Sequence, residues 1–187
     1  MTAERVRLEP LTPDDSQTLW QWINARDLVV QSSPYRPVHT ESHEHWFKRI
    51  QNTPDCVIFA LRIFPSQTLI GSCQLHSIHP VHRSADLQIR IGADNCRNKG
   101  YGKQALDQLL EFGFRDLNLN RIYLHVLADN LPAQRLYERF HFQHEGRLRC
   151  AVFVDGRYQD VLLMGLLREE YMTSKQESGS AMHKESA

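Results

Sequence analysis

The chain has 187 residues, 41% hydrophobic and 24% charged, a length and balance that fit one globular domain with a real core. Its 22 basic and 22 acidic residues cancel, and a protein that neutralises a phosphate backbone carries a basic excess, so nucleic acid is not an expected partner. No apolar run approaches the ~20 residues of a membrane span, and the N-terminus lacks a signal core, so no membrane association is expected.

Residues 6–11 alternate and stop at Pro10 and Pro13, which predicts a short strand. Thr12-Pro13-Asp14-Asp15 reads as a helix start, with Thr12 as N-cap, proline in the first position and acids in the first turn. Leu19, Trp20 and Ile23 share one face of that helix. Residues 26–40 contain Pro34 and Pro37 and read as an irregular loop. Thr40-Glu41 opens a second helix to about Ile50, with Trp46, Phe47 and Ile50 apolar. Residues 56–64 and 68–77 flank Pro65-Ser66-Gln67 as a hairpin. Residues 84–92 alternate, with Leu87, Ile89 and Ile91 on one face and Asp86, Gln88 and Arg90 on the other.

Residues 100–117 carry apolar positions 106, 109, 110, 114 and 117 at helical spacing. Residues 121–126 alternate again, 131–140 form a short helix, and 142–146 and 148–154 read as strand segments. Asp155-Gly156 is a hairpin turn before a last strand over 157–166. The order β-α-α-β-β-β-α-β-α-β-β predicts an α/β or α+β fold with one mixed sheet. The folded domain is expected over 1–172, and the small polar residues 173–187 as a disordered tail. Cys56, Cys73, Cys96 and Cys150 form neither a C-x-x-C pair nor a zinc spacing, so a reducing cytoplasm, no disulfide framework and no metal are expected.

The densest chemical signal is Cys96-Arg97-Asn98-Lys99-Gly100-Tyr101-Gly102-Lys103, between a strand and a helix. A loop at that junction turns free backbone N–H groups outward, and the helix N-terminus adds partial positive charge. Gly100 and Gly102 let a ligand approach the backbone, while Arg97, Lys99 and Lys103 supply counter-charge. Such a loop suits a phosphate or pyrophosphate. It is neither a nucleotide P-loop nor the dinucleotide G-x-G-x-x-G.

Arg97-x-x-Gly100-x-Gly102 resembles the R/Q-x-x-G-x-G/A motif of the GNAT superfamily of N-acetyltransferases, in which the loop cradles the pyrophosphate of coenzyme A. The segment from Asn130 to Phe142 resembles that family's N-x-x-[SA]-x-x-[LVI]-Y-x-[KR]-x-G-F, with Asn130 as helix cap and Tyr137 two turns on. Element order resembles the family over most of residues 5–168. Within the superfamily the chain resembles the branch of ribosomal-protein alanine and spermidine acetyltransferases, and residues 82–89 and 155–160 resemble the spermidine acetyltransferases in particular.

The resemblance implies a largely antiparallel mixed sheet flanked by helices, with the fourth and fifth strands splayed around the pantetheine arm. It implies acetyl-CoA as cosubstrate, with backbone at Arg90, Ile91 and Gly92, the loop residues Arg97, Asn98, Lys99, Gly100, Tyr101, Gly102 and Lys103, and Asn130 and Ala133 binding it. Tyr137 is expected to protonate the leaving thiolate. Asp86, where relatives often carry Glu, is expected as base for the attacking amine, against a reading in which it only pairs with Arg83 or Arg90. His76, His79 and His82 are expected as surface or loop histidines. His141 replaces the family's usual glycine and is expected to end its helix in a left-handed conformation.

The resemblance implies that residues 26–45 select the acceptor, and they hold no acid between Asp27 and Glu41. That weakens a polyamine acceptor; a protein N-terminus, an amino sugar or another small amine remains open. Trp46 and Phe47 are read as core before cleft. The competing reading is a non-catalytic acyl-CoA-binding module of the same fold. Two-fold dimers are the commonest assembly, so a homodimer is the default.

Overall fold

The computed structural model describes residues 4–184. β1 (Arg5–Pro10) leads into α1 (Asp15–Asn24), a single helical turn α2 (Arg26–Val29) and α3 (Thr40–Ile50). β2 (Val57–Phe64), β3 (Thr68–His79) and β4 (Ser84–Ile91) follow as an antiparallel meander. A short 3-10 turn, Asp94–Cys96, precedes α4 (Tyr101–Glu111), which runs on through a π-turn at Phe112–Asp116. β5 (Arg121–Leu127), α5 (Leu131–Glu138), β6 (Gln143–Val154), β7 (Arg157–Leu167) and α6 (Arg168–Lys184) complete the order.

The strands form one sheet in the order β1-β2-β3-β4-β5-β7-β6. β4 and β5 are its only parallel neighbours, because the crossover through α4 returns the chain in the same direction. Strand alternation sorts the two faces. Leu75, Ala85, Ile122 and Leu124 point to one side and are fully or almost fully buried against Leu106, Leu109, Leu110 and Phe114 of the α4 layer. Each such side chain contributes roughly 1.5–3 kcal/mol through burial. On the other side α1 and α3 cover only the β2–β3 end, through Leu19, Phe47 and Ala60. The rest of that face carries Asp86, Gln88 and Arg90, as the alternation predicted, and is left open for chemistry.

Four local expectations are revised. Thr12 does not cap α1 with its side chain; instead the Asp15 carboxylate reaches back to accept from Thr12 N–H at 2.7 Å and is gripped by Arg62 at 2.7 Å. The loop over 26–40 contains the helical turn α2, pinned by Leu28 and Val29 in the core. The two segments expected over 142–146 and 148–154 form one strand, β6 (Gln143–Val154), interrupted by register shifts at His144/Gly146 and Leu148/Val152. The tail expected from 173 is helical through Lys184, because Tyr171 stacks on Phe114 at 4.8 Å and Lys175 Nζ meets Asp107 Oδ1 at 2.6 Å one turn later. The last three residues lie outside the described range. Among the described residues no helix is long and apolar enough to cross a membrane.

Candidate active site

β4 and β5 pair only at Ser84↔Arg121, Ala85↔Ile122 and Asp86↔Tyr123. Beyond that neck β4 stays bound to β3 and β5 to β7, so the sheet forks. Which peptide groups face the gap follows from the β3–β4 register. Gly92 N–H donates to Ile70 O at 2.8 Å, and bonded and non-bonded pairs alternate along an antiparallel ladder. Arg90, opposite Ser72, therefore spends its peptide groups on β3, whereas Ile89 and Ile91 turn theirs into the fork. Of the three residues expected to bind the pantetheine through backbone, Ile91 is so placed, and Ile89 joins it. Gly92 has another role: a Cβ there would run into the Trp22 indole, so the glycine admits that ring.

The fork opens onto a cleft of about 500 Å³ at the start of α4. Arg97, Asn98, Gly100, Gly102, Lys103, Asn130 and Ala133 line it. Asn98 and Gly100 adopt left-handed φ of 58° and 82°, which curls the loop so that consecutive amides converge. Among the described residues no N–H from Asn98 to Lys103 donates to a protein acceptor, the first helical bond being Gln104 N–H to Gly100 O. A Cβ at Gly102 would project into the cleft and meet only Leu136, at 3.7 Å. Arg135 on α5 and Arg139 just past its end add positive charge, and among the described residues no carboxylate lines the cleft. Unpaired amides, a helix N-terminus and these cations fit a pyrophosphate.

Three loop residues behave differently from expectation. Arg97 is partly neutralised by Asp94 at 2.6 Å and braces the loop. Lys99 is exposed and outside the cleft lining. Tyr101 turns its ring into the core, in line with Ala105 and Leu109 on α4, and its hydroxyl donates to the Glu4 carboxylate. Only the Tyr101 amide, in the first turn, can serve an anion.

Asn130 does cap α5: its Oδ1 accepts from Ala133 N–H at 3.2 Å. Its Nδ2 donates to Gln31 O at 3.0 Å, which ties the cofactor helix to the loop after α2. Tyr137 lies two turns further, buried, with its ring edge-on to Phe142 at 5.7 Å. Its hydroxyl has no hydrogen-bond partner among the described residues. Burial, then the charge of Asp86, pushes its pKa up to about 12. His141 has φ 65°, and Phe142 N–H reaches Tyr137 O at 3.1 Å, so this histidine takes the place of the terminating glycine.

Asp86 sits at the neck. It pairs with neither Arg83 nor Arg90. His125 Nδ1 lies 3.1 Å from Asp86 Oδ2, and His76 Nε2 lies 4.0 Å from Asp86 Oδ1. Burial holds the Asp86 carboxyl above its ordinary range, against the opposing pull of the two histidines. His76 is thus a partner of the site rather than a loop histidine, while His79 and His82 stack on each other at 4.0 Å, away from it. His125 was missed; its alternation with Tyr123 on the strand after α4 was the available signal.

On the open sheet face, beside the fork, a second pocket of about 430 Å³ lies under α1 and α3. Trp22 and Trp46 wall it, so Trp46 serves the pocket while Phe47 is core. Arg90 borders both cavities. His43, whose pKa burial lowers, bonds Ser16 O at 2.9 Å through Nε2 at its edge.

Residues 5–143 match the acetyltransferase (GNAT) domain family. The spermidine N(1)-acetyltransferase of Vibrio cholerae is 41% identical over 106 residues, 57% of this chain and 61% of that protein, so the match spans less than two thirds of the relative. The putative ribosomal N-acetyltransferase YdaF of Bacillus subtilis is 24% identical over 169 residues, 90% of this chain and 88% of that protein. The crystal structure of spermidine N-acetyltransferase from Vibrio cholerae in complex with CoA and spermine is similar with a TM-score of 0.83 and 31% identity, covering 90% of this chain and 98% of that one.

Proposed function

The chain belongs to the GNAT acetyltransferase family, and on that premise we propose that it moves an acetyl group from acetyl-CoA to a primary amine within a ternary complex. The observation that carries this reading is the fork: three pairs of β4–β5 contact, then a gap that runs from Asp86 to a loop of unpaired amides. When bound, acetyl-CoA supplies an activated thioester. The chain supplies everything else. Amides 98–103, Lys103, Arg135 and Arg139 hold the diphosphate; peptide groups of Ile89 and Ile91 align the arm like an added strand.

Asp86 takes the proton of the attacking amine, and Tyr137 donates toward the departing sulfur. The two are linked. Ionised Asp86 helps hold the Tyr137 proton in place. Once Asp86 has accepted a proton, that hold disappears, and the phenol gives up its own proton more readily. In the transfer the C–N bond forms as the C–S bond breaks, the amine proton passing to Asp86 and the Tyr137 proton to the departing sulfur.

The polyamine named for the Vibrio cholerae relative would meet no carboxylate among the described residues lining the second pocket, which weighs against it as acceptor. We assign the enzyme to the cytoplasm, where its four free cysteines, three of them buried, stay reduced. A homodimer would use the open edge at β6, where Leu148 and Phe153 are exposed.

The test is incubation with acetyl-CoA and a panel of primary amines, reading free thiol and acetylated product. Amine-dependent thiol release is expected. Tight acetyl-CoA binding with no release from any amine would favour the non-catalytic module. A Gly100→Glu variant places a carboxylate in the cradle and should abolish binding; a wild-type Kd would reject the loop as the diphosphate site.

A further inference from the structure

Arg90 is the feature that the cofactor reading leaves unexplained. Its backbone is engaged with β3, and its side chain enters the seam between the cleft and the second pocket. Nη2 donates to Ser32 Oγ at 3.2 Å. Among the described residues the guanidinium has no ion-pair partner, and burial alone depresses its pKa, with no carboxylate acting to raise it. Asp86 lies four residues down the same strand face, about 13 Å away at the ~3.3 Å rise of a strand. A half-buried cation beside Trp22, Trp46 and Ile58 with no counter-ion among the described residues is a ready partner for an anion, since desolvated charges are ordinarily paired.

A second orphan shares the pocket. Gln74 Nε2 donates to Gln88 Oε1 at 2.6 Å, which leaves Gln74 Oε1 buried and without a partner. The pocket therefore presents a guanidinium answered only by the Ser32 hydroxyl and one unanswered acceptor, between apolar walls.

We infer that Arg90 is a specificity residue, and that the acceptor is a primary amine whose far end carries an oxyanion, a carboxylate or a phosphate. The planar guanidinium matches either group in a two-point contact. The amine lies toward Asp86 and the neck, the apolar body along the tryptophans, and an N–H of the acceptor answers Gln74 Oε1. A polycation entering the same pocket meets an unpaired positive charge with no carboxylate to offset it. This inference rests on the acetyl-transfer reading and names its acceptor class.

The experiment is equilibrium titration of the full chain, with coenzyme A present, followed by tryptophan fluorescence, since two of its three tryptophans line the pocket. The ligands are aminohexanoate, aminohexyl phosphate, hexylamine and diaminohexane. At least one anionic ligand should bind roughly tenfold or more tighter than the diamine, a preference of about 1.4 kcal/mol, and the two anionic arms rank carboxylate against phosphate. Arg90→Gln should erase the preference and Arg90→Lys should retain only part of it. Equal or tighter binding of the diamine to the wild type, no binding of either anion, or an unchanged preference in Arg90→Gln would each overturn the inference; the wild-type series decides even where a variant does not fold. Failure of the transfer reading looks different: no thiol release from any amine, with the binding preference intact.

Discussion

Removing one oxygen atom separates a chemical role for Tyr137 from a structural one. The Tyr137 hydroxyl is the only polar atom of a buried ring, and no described residue accepts from it or donates to it. Tyr137→Phe therefore breaks no hydrogen bond to a described residue, keeps the edge-on contact with Phe142, and should change stability by less than ~0.5 kcal/mol. For a domain of this size that is a Tm shift of under about 2 °C. A tyrosine held by a satisfied hydroxyl would instead lose about 0.5–1.5 kcal/mol. The catalytic cost is far larger: loss of a positioned proton donor lowers turnover about 10²–10⁴-fold, or roughly 2.7–5.4 kcal/mol of barrier. Thermal unfolding and steady-state thiol release, on the same preparation, measure both. A kcat within about threefold of wild type, or a loss of rate that merely tracks a loss of Tm, would refute the argument.

Asn130→Ala removes both the α5 cap and the link to Gln31 and should cost about 1–2 kcal/mol by chemical denaturation, whereas Asn130→Asp keeps the cap and should recover much of it; equal losses would show that the cap contributes little. Because burial raises the Asp86 pKa, the acid limb of the kcat–pH profile should lie above the ordinary aspartate value of about 3.9 and vanish in Asp86→Asn; a limb that persists in the variant assigns it elsewhere. His43 is depressed below its unfolded value, so the unfolded chain binds the extra proton first. Stability from this site is present above about pH 6.5 and is lost as pH falls toward the folded pKa. Denaturation midpoints across that window should fall in the wild type and flatten in His43→Gln, and parallel curves would exclude the residue.

Much of the fold was legible because the signals were local. Strand alternation fixed which side chains of β4 face the acceptor side, and the Asn130–His141 pattern specified a helix together with both of its ends. What failed was long-range. Alternation says where a side chain points but not which neighbour holds its peptide group, so Gly92 and Arg90 were assigned to the cofactor although β3 had already taken their backbones. Asp86 was offered Arg83 and Arg90 as partners from its own strand, while its actual partners come from β3 and β5. Tyr101 was grouped with its loop neighbours, though its spacing to Ala105 and Leu109 marked it as core. The helix beyond 172 was invisible because Lys175 finds its carboxylate on α4, 68 positions away.

The parity of β4 has an evolutionary consequence. Odd positions offer peptide groups to the fork, and every amino acid except proline carries the same N–H and C=O. Even positions offer side chains to the acceptor face. On the acetyl-transfer proposal, mutation at 88 or 90 explores new acceptors while the grip on the acyl donor stays constant. One strand lets a lineage change what it acetylates without relearning how to hold the reagent.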